Sequence, residues 1–187
     1  GFGGEAVNWT DIQQWESAPL QTYAVECENK QRLLQAAGDS LAEQLGSLVG
    51  SSQTVKAAKV ALHKRMMAIE KEVNFLISSA EIASEGAQGI NEVRANADDA
   101  KQLASTWGMR IDASGNVSMD AAQVKKLKKA GKNILDIKYM VDTAQERVNT
   151  ALTRARELVD SLSQKMSALD AGTYDNNVHY SAMNKVR

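Results

Sequence analysis

Cysteine is nearly absent from this chain of 187 residues: Cys27 stands alone, so no internal disulfide can form and cysteine usage carries no redox-compartment signal. Proline is as scarce, with Pro19 the sole example, and aromatic residues make up only 5%. Sheets draw on aromatic and β-branched side chains, so this poverty, beside plentiful Ala, Leu, Gln, Glu and Lys, points to long helices. An excess of charge is missing too, since 22 basic residues meet 23 acidic ones for a net of -1. That balance argues against nucleic-acid binding by bulk electrostatics. No apolar run approaches the ~20 residues that a bilayer span requires. The N-terminus lacks the basic and apolar blocks of a secretory leader, so any export is expected to bypass a conventional cleaved signal.

What is present is helical periodicity with sparse punctuation. Thr10, with Gln13 three residues on, forms a capping-box pattern for a short first turn. Ser17-Ala18-Pro19 then opens a helix, because proline fits the first helical turn. Leu20, Ala24, Cys27, Gln31, Leu34, Gly38, Leu41, Leu45 and Leu48 step by fours and threes, the spacing of one stripe facing a partner helix. Gly46, Gly50, Ser51 and Ser52 read as a loop. A second helix is expected from about Gln53 to Trp107 along Val55, Leu62, Met66, Ile69, Val73, Leu76, Ala80, Ala83, Ala87, Ile90, Ala97 and Ala104. Gly108 ends it, and Met109 to Met119 alternates around a Gly-containing centre as a small β-hairpin or tight connector. Ser118 or Asp120 caps a third helix running to about Ala171.

These readings define an all-α fold: an elongated antiparallel helical bundle of one short and two very long helices, with a small hairpin connector between the long pair. Residues 1–172 form a single domain and 173–187 a polar, flexible tail. The opening Gly1-Phe2-Gly3-Gly4 is set aside from the fold argument. Pairing the long helices about the hairpin places Ile69 near Leu158, Leu76 near Ala151, and Ile90 near Ile137. The first helix gives out midway, so Trp9 and Trp15 are expected beside the middle of the long pair, near Gly86 and Gly89. An interior glycine costs ~1 kcal/mol against alanine, and room for an indole or a neighbouring helix explains it better than a ligand site. Beyond that level the second helix has an Ala-rich seam that buries little area. A homodimer contact or a helical partner is expected to supply the missing burial.

Chemistry is thin. His63 and His179 lack ligands at metal spacing, and His63 reads as solvated beside a Lys-Arg pair. Cys27 falls on the apolar stripe as a small core residue. Glu81 and Glu85, one turn apart, read as an exposed face. Glycine-rich phosphate loops are absent. No catalytic residue, cofactor or metal is expected, and the chain does not read as an enzyme. Lys125, Lys126, Lys128, Lys129 and Lys132 form the one charge cluster. A functional reading docks them on anionic lipid or an acidic partner. The favoured structural reading pairs them across the helices with Asp98 and Asp99. Membrane association is not expected, because the apolar faces are matched to one another.

The pattern Trp9-Thr10-Asp11-Ile12-Gln13-Gln14-Trp15 followed by Pro19-Leu20 resembles the helical N-terminal domains of actinobacterial type VII (ESX) secretion substrates, relatives of the WXG-motif proteins. Leu48-Val49-Gly50 resembles an LXG-like version of their bend, followed by Ala57-Ala58. Ala104 to Val117, through Trp107-Gly108, is similar to the short hairpin that follows such domains. The resemblance spans roughly Asn8 to Val117 and implies a non-enzymatic secretion substrate or targeting domain that shows a helical surface to a protein partner, or to secretion machinery. It implies a secreted or envelope location without a cleaved leader, or otherwise a cytoplasmic one. Candidate partner-binding residues are Trp9, Trp15, Leu48, Gly50, Gly86, Gly89, Trp107 and Gly108. Core packing and turn formation account for these residues equally well. A different class of function is a self-associating coiled-coil spacer of a cell envelope or virion, and a weaker one is a peripheral lipid-surface binder.

Overall fold

Glycines stop α3, α4 and α5 and polar side chains cap α1, α4 and α5, while the apolar stripes decide what each helix packs on. In the computed structural model, which describes residues 7–175 and 178–186, the chain is an all-α helical bundle with one tiny two-stranded sheet. The order is α1 (Trp9–Gln14), α2 (Ala18–Ser47), α3 (Gln53–Thr106), β1 (Arg110–Ile111), β2 (Val117–Ser118), α4 (Ala121–Lys129) and α5 (Ile134–Asp170), followed by a 3-10 turn at Ala182–Lys185. The expected opening Gly1-Phe2-Gly3-Gly4 lies outside the described residues.

Two expected boundaries are corrected. Asn8, not Thr10, caps α1: its side chain accepts from the Asp11 N–H at 2.9 Å while Asp11 reaches back to the Asn8 N–H at 3.0 Å. Thr10 is engaged elsewhere, donating through both N–H and Oγ1 to the Ala113 carbonyl. The third long helix is two helices. Gly131, at φ 94°, takes the left-handed conformation after α4, and the Lys132 N–H bonds the Leu127 carbonyl while the Gly131 N–H bonds that of Lys128. This glycine-terminated pattern satisfies the last carbonyls and stops the helix. Asn133 and Asp136 then cap each other's backbone to start α5. Gly108 and Gly172 stop α3 and α5 by the same bonding pattern.

The chain forms two compact units, Gly1–Ala18 with Gly86–Gln164, and Pro19–Glu85 with Lys165–Arg187. In the first, Trp9 and Ile12 pack on Val93, Ala97 and Ala100 of α3 and on Val148, Ala151 and Leu152 of α5. The Ala-rich seam is thus covered by the chain's own α1. The hairpin leans on the same core, where a Cβ on Gly115 would touch Leu152 and Val148 at 3.1 Å. The register of α3 against α5 differs from the expected one: Leu158 lies against Gly89 rather than Ile69, and Arg147 pairs with Asp99 at 3.2 Å. Because α4 and the Gly131 turn belong to the connector, the return helix starts later than a simple hairpin predicts.

In the second unit, α2 and α3 pack antiparallel. Ala24 and Cys27 meet Leu76, Ala80 and Ala83, while Leu41 and Ala42 meet Met66. The tail, expected to be loose, is held here as a strap. Asn74 clamps the backbone of Tyr180 in both directions, at 2.7 and 2.9 Å. The Tyr180 hydroxyl donates to Asp39 Oδ1 at 2.9 Å. Glu70 accepts from Ser181 Oγ and from the first N–H groups of the 3-10 turn, and Ala182 is fully buried. A polar composition did not prevent docking, because side chains of α2 and α3 satisfy the strap's backbone.

Candidate functional site

The residues singled out in the sequence fall into three places. Trp9 is 5% exposed and its ring serves the core of the first unit, with Trp15 half-buried against the same cluster. Arg94 fixes this corner by donating Nη1 to the carbonyls of Trp15 at 2.7 Å and Gln13 at 3.2 Å, and Lys101 adds a bond to the Gln13 side chain at 2.8 Å. Gly89 is there because a Cβ would run into the Leu158 side chain; Gly86 is buried in α3 in the second stretch of that helix. Trp107 and Gly108 sit at the end of α3, where Gln123 donates to the Trp107 carbonyl at 3.0 Å and the Lys132 ammonium stands 5.6 Å from the indole centroid. Leu48 and Gly50 form the bend between α2 and α3, with Gly50 at φ 103° and open space where its side chain would be. Leu158, which lies against Gly89, packs on the same cluster as Trp9 and Trp15, while Leu48 and Gly50 belong to the other unit.

The hairpin tip is a turn ordered by Asp112 and held by its neighbours. Asp112 accepts from the N–H groups of Ser114 and Asn116, each at 2.9 Å. Hydrogen bonds from Asn116, then from Ser114 and Gly115, hold the Asp112 carboxyl below the usual carboxylate range. Gln145 of α5 anchors the turn, accepting from the Val117 N–H and donating to the Gly115 carbonyl, each at 2.8 Å.

Among the described residues no three of His, Cys, Asp or Glu are arranged to hold a metal ion. His63 and His179 are exposed. Cys27 is buried and free, and its bond to Tyr23 is the first cause that raises the Tyr23 phenol above its ordinary value. The Tyr180 phenol is also pushed up, by burial first and then by the adjoining Asp39. Both tyrosines thus stay protonated. An open cleft of about 570 Å³ lies between α2 and the strap, lined by Asp39, Ala42, Glu43, Gly46, Ser47 and Lys185. The Ser47 hydroxyl on its rim donates to the Gln44 carbonyl at 2.8 Å.

The exposed apolar residues are more informative. Met66, Val73, Leu76 and Ala80 form the buried seam of α3 in the second unit. At ~100° per residue, Val60, Met67 and Phe75 fall on the opposite side of that helix. Val60 is 67% and Phe75 43% exposed, with Met67 exposed as well. Lys56, Lys64 and Lys71 lie on the same exposed stripe. The sequence reading missed this second seam because the inward stripe accounts for the periodicity and one helix face is enough to explain a bundle. The seven-residue step from Val60 to Met67 was the available signal.

No family model, curated protein or solved structure matches the chain. Its function therefore has to be argued from its own surfaces.

Proposed function

We propose that the chain is a non-catalytic helical binding module that docks a dissimilar helical protein along α3, in the manner of a type VII secretion substrate or targeting domain. The observation that carries this reading is the exposed Val60–Met67–Phe75 stripe, set opposite the buried seam of the same helix. Isolated surface apolar residues are ordinary, but a stripe at helical spacing is what a partner helix lays its own apolar face upon. The interleaved Lys56, Lys64 and Lys71 favour a partner whose flanking positions are acidic. The WXG/LXG-like pattern around Trp9 to Trp15 and Leu48 to Gly50 supports a secreted or envelope-associated role. No described helix is long and apolar enough to cross a membrane.

Co-expression with any short helical protein found encoded beside this chain tests the proposal. A one-to-one heterodimer by light scattering is expected. Val60→Glu combined with Phe75→Glu should weaken it by at least about tenfold, with the melting temperature of the free chain unchanged. A symmetric homodimer broken by the same substitutions would favour the self-associating spacer instead. Unaltered partner binding by the double variant would refute docking on α3.

A further inference from the structure

The lysine cluster loses its structural explanation in the folded chain. Asp98 pairs with Lys101 at 3.7 Å and Asp99 with Arg147 at 3.2 Å, so neither is paired with a lysine of α4. Among the described residues no carboxylate lies in ion-pair reach of Lys125, Lys126, Lys128, Lys129 or Lys138. Gln123, Val124 and Leu127 form the half-buried side of α4, and helical spacing fans its four lysines over the other side, where all are exposed. Lys132 follows in the Gly131 turn, over the Trp107 ring.

The start of α5 continues this surface with apolar groups. Ile137 turns inward, leaving Leu135 at 73% and Tyr139 at 74% exposure one turn apart, with Ile134 and Lys138 beside them. Between Ala121 and Val141 there are six lysines and one acid, Asp136. That acid is already committed to capping α5.

We propose that the α4–α5 corner is a peripheral docking surface for anionic lipid membranes. Phospholipid headgroups would meet the lysines, while Leu135 and Tyr139 enter the interfacial layer. Charge complementarity decides the occupant. Every cation between Ala121 and Val141 is lysine, a compact charge on a flexible stem suited to a diffuse layer of headgroups. A protein interface keeps lysine to the rim of an apolar stripe, as on α3, whereas here six lysines outnumber the exposed Ile134, Leu135 and Tyr139. Lysine stems also cover apolar surface while keeping the ammonium in water, and an exposed tyrosine matches the interfacial zone.

Co-sedimentation of the full chain with phosphatidylcholine vesicles, with and without about one-third phosphatidylserine, tests this. Binding at least about tenfold greater on the anionic vesicles is expected, falling steeply as salt shortens the screening length. Changing Lys125, Lys126, Lys128 and Lys129 to Gln should remove that preference. Leu135→Ser with Tyr139→Ser should weaken binding several-fold. Lys56→Gln with Lys59→Gln and Lys64→Gln, which removes charge from α3 instead, should leave it intact. Equal binding to neutral vesicles would overturn the proposal, as would equal loss in the α3 control. Capture by polyglutamate without vesicle binding would overturn it in favour of an acidic protein. These measurements need no helical partner, so their failure leaves docking on α3 standing, and the reverse.

Discussion

Gly38 shows how a single missing side chain determines where a segment docks. It sits inside α2, where replacement by alanine ordinarily gains ~1 kcal/mol of helix stability. Here a Cβ would stand 2.5 Å from the Tyr180 hydroxyl and 3.2 Å from Ile69 Cγ2. The Tyr180 backbone is clamped by Asn74 and cannot retreat freely. Gly38→Ala should therefore loosen the strap and speed proteolytic cleavage between Gly172 and Tyr180. Tyr180→Phe, which loses the bonds to Asp39 and the Gln35 carbonyl, should cost about 1 kcal/mol. The Gly38→Ala effect should vanish in a Tyr180→Ala background, as the coupling of two touching residues requires. A stabilised Gly38→Ala chain with an equally protected strap would show that Tyr180 does not occupy this groove. The sequence marks Gly38 as a weak point in the stripe, but nothing local says that a residue more than a hundred positions away fills it.

At the level of elements, starts and stops were legible wherever a residue acts through its own backbone. Gly50, Gly108 and Gly172 stand close to the expected ends of α2, α3 and α5. Gly131 carries the same signal, followed by an asparagine with an aspartate three residues on, yet the apolar steps on either side mask it. The hairpin was readable from its alternation, although its strands are only two residues each. Register was not readable, since it depends on how much connector α4 consumes. Nor was the placement of α1, a six-residue helix that cannot persist alone. Arg94 holds it by bonding its last carbonyls, so Arg94→Met should detach α1 at a cost of about 2 kcal/mol. Denaturant unfolding would report the loss, and a red-shifted tryptophan emission in the native state would show Trp9 and Trp15 reaching water. Unchanged emission and stability would mean that packing of Trp9 and Ile12 alone retains the helix.

Across the whole chain, composition was enough to establish an all-helical protein, because 5% aromatics and a single proline leave little else to build with. Function was less legible. The same periodicity that betrays a core also generates an outward stripe, and only burial tells the two apart. Trp9, the most conspicuous residue in the sequence, is spent on the core of the first unit. Among the surfaces left over are a lysine-flanked apolar seam on α3 and the basic corner of α4 and α5. The claim on which the account depends is that the seam on α3 receives a partner helix. Methyl NMR of the chain titrated with a helical protein that co-purifies with it on co-expression tests it directly. Shifts are expected at the Met67 and Val60 methyls, with Leu152 and Val148 of the first unit unmoved. Shifts confined to Leu135 and its neighbours, or a bound partner that leaves Val60 and Met67 untouched, would contradict it.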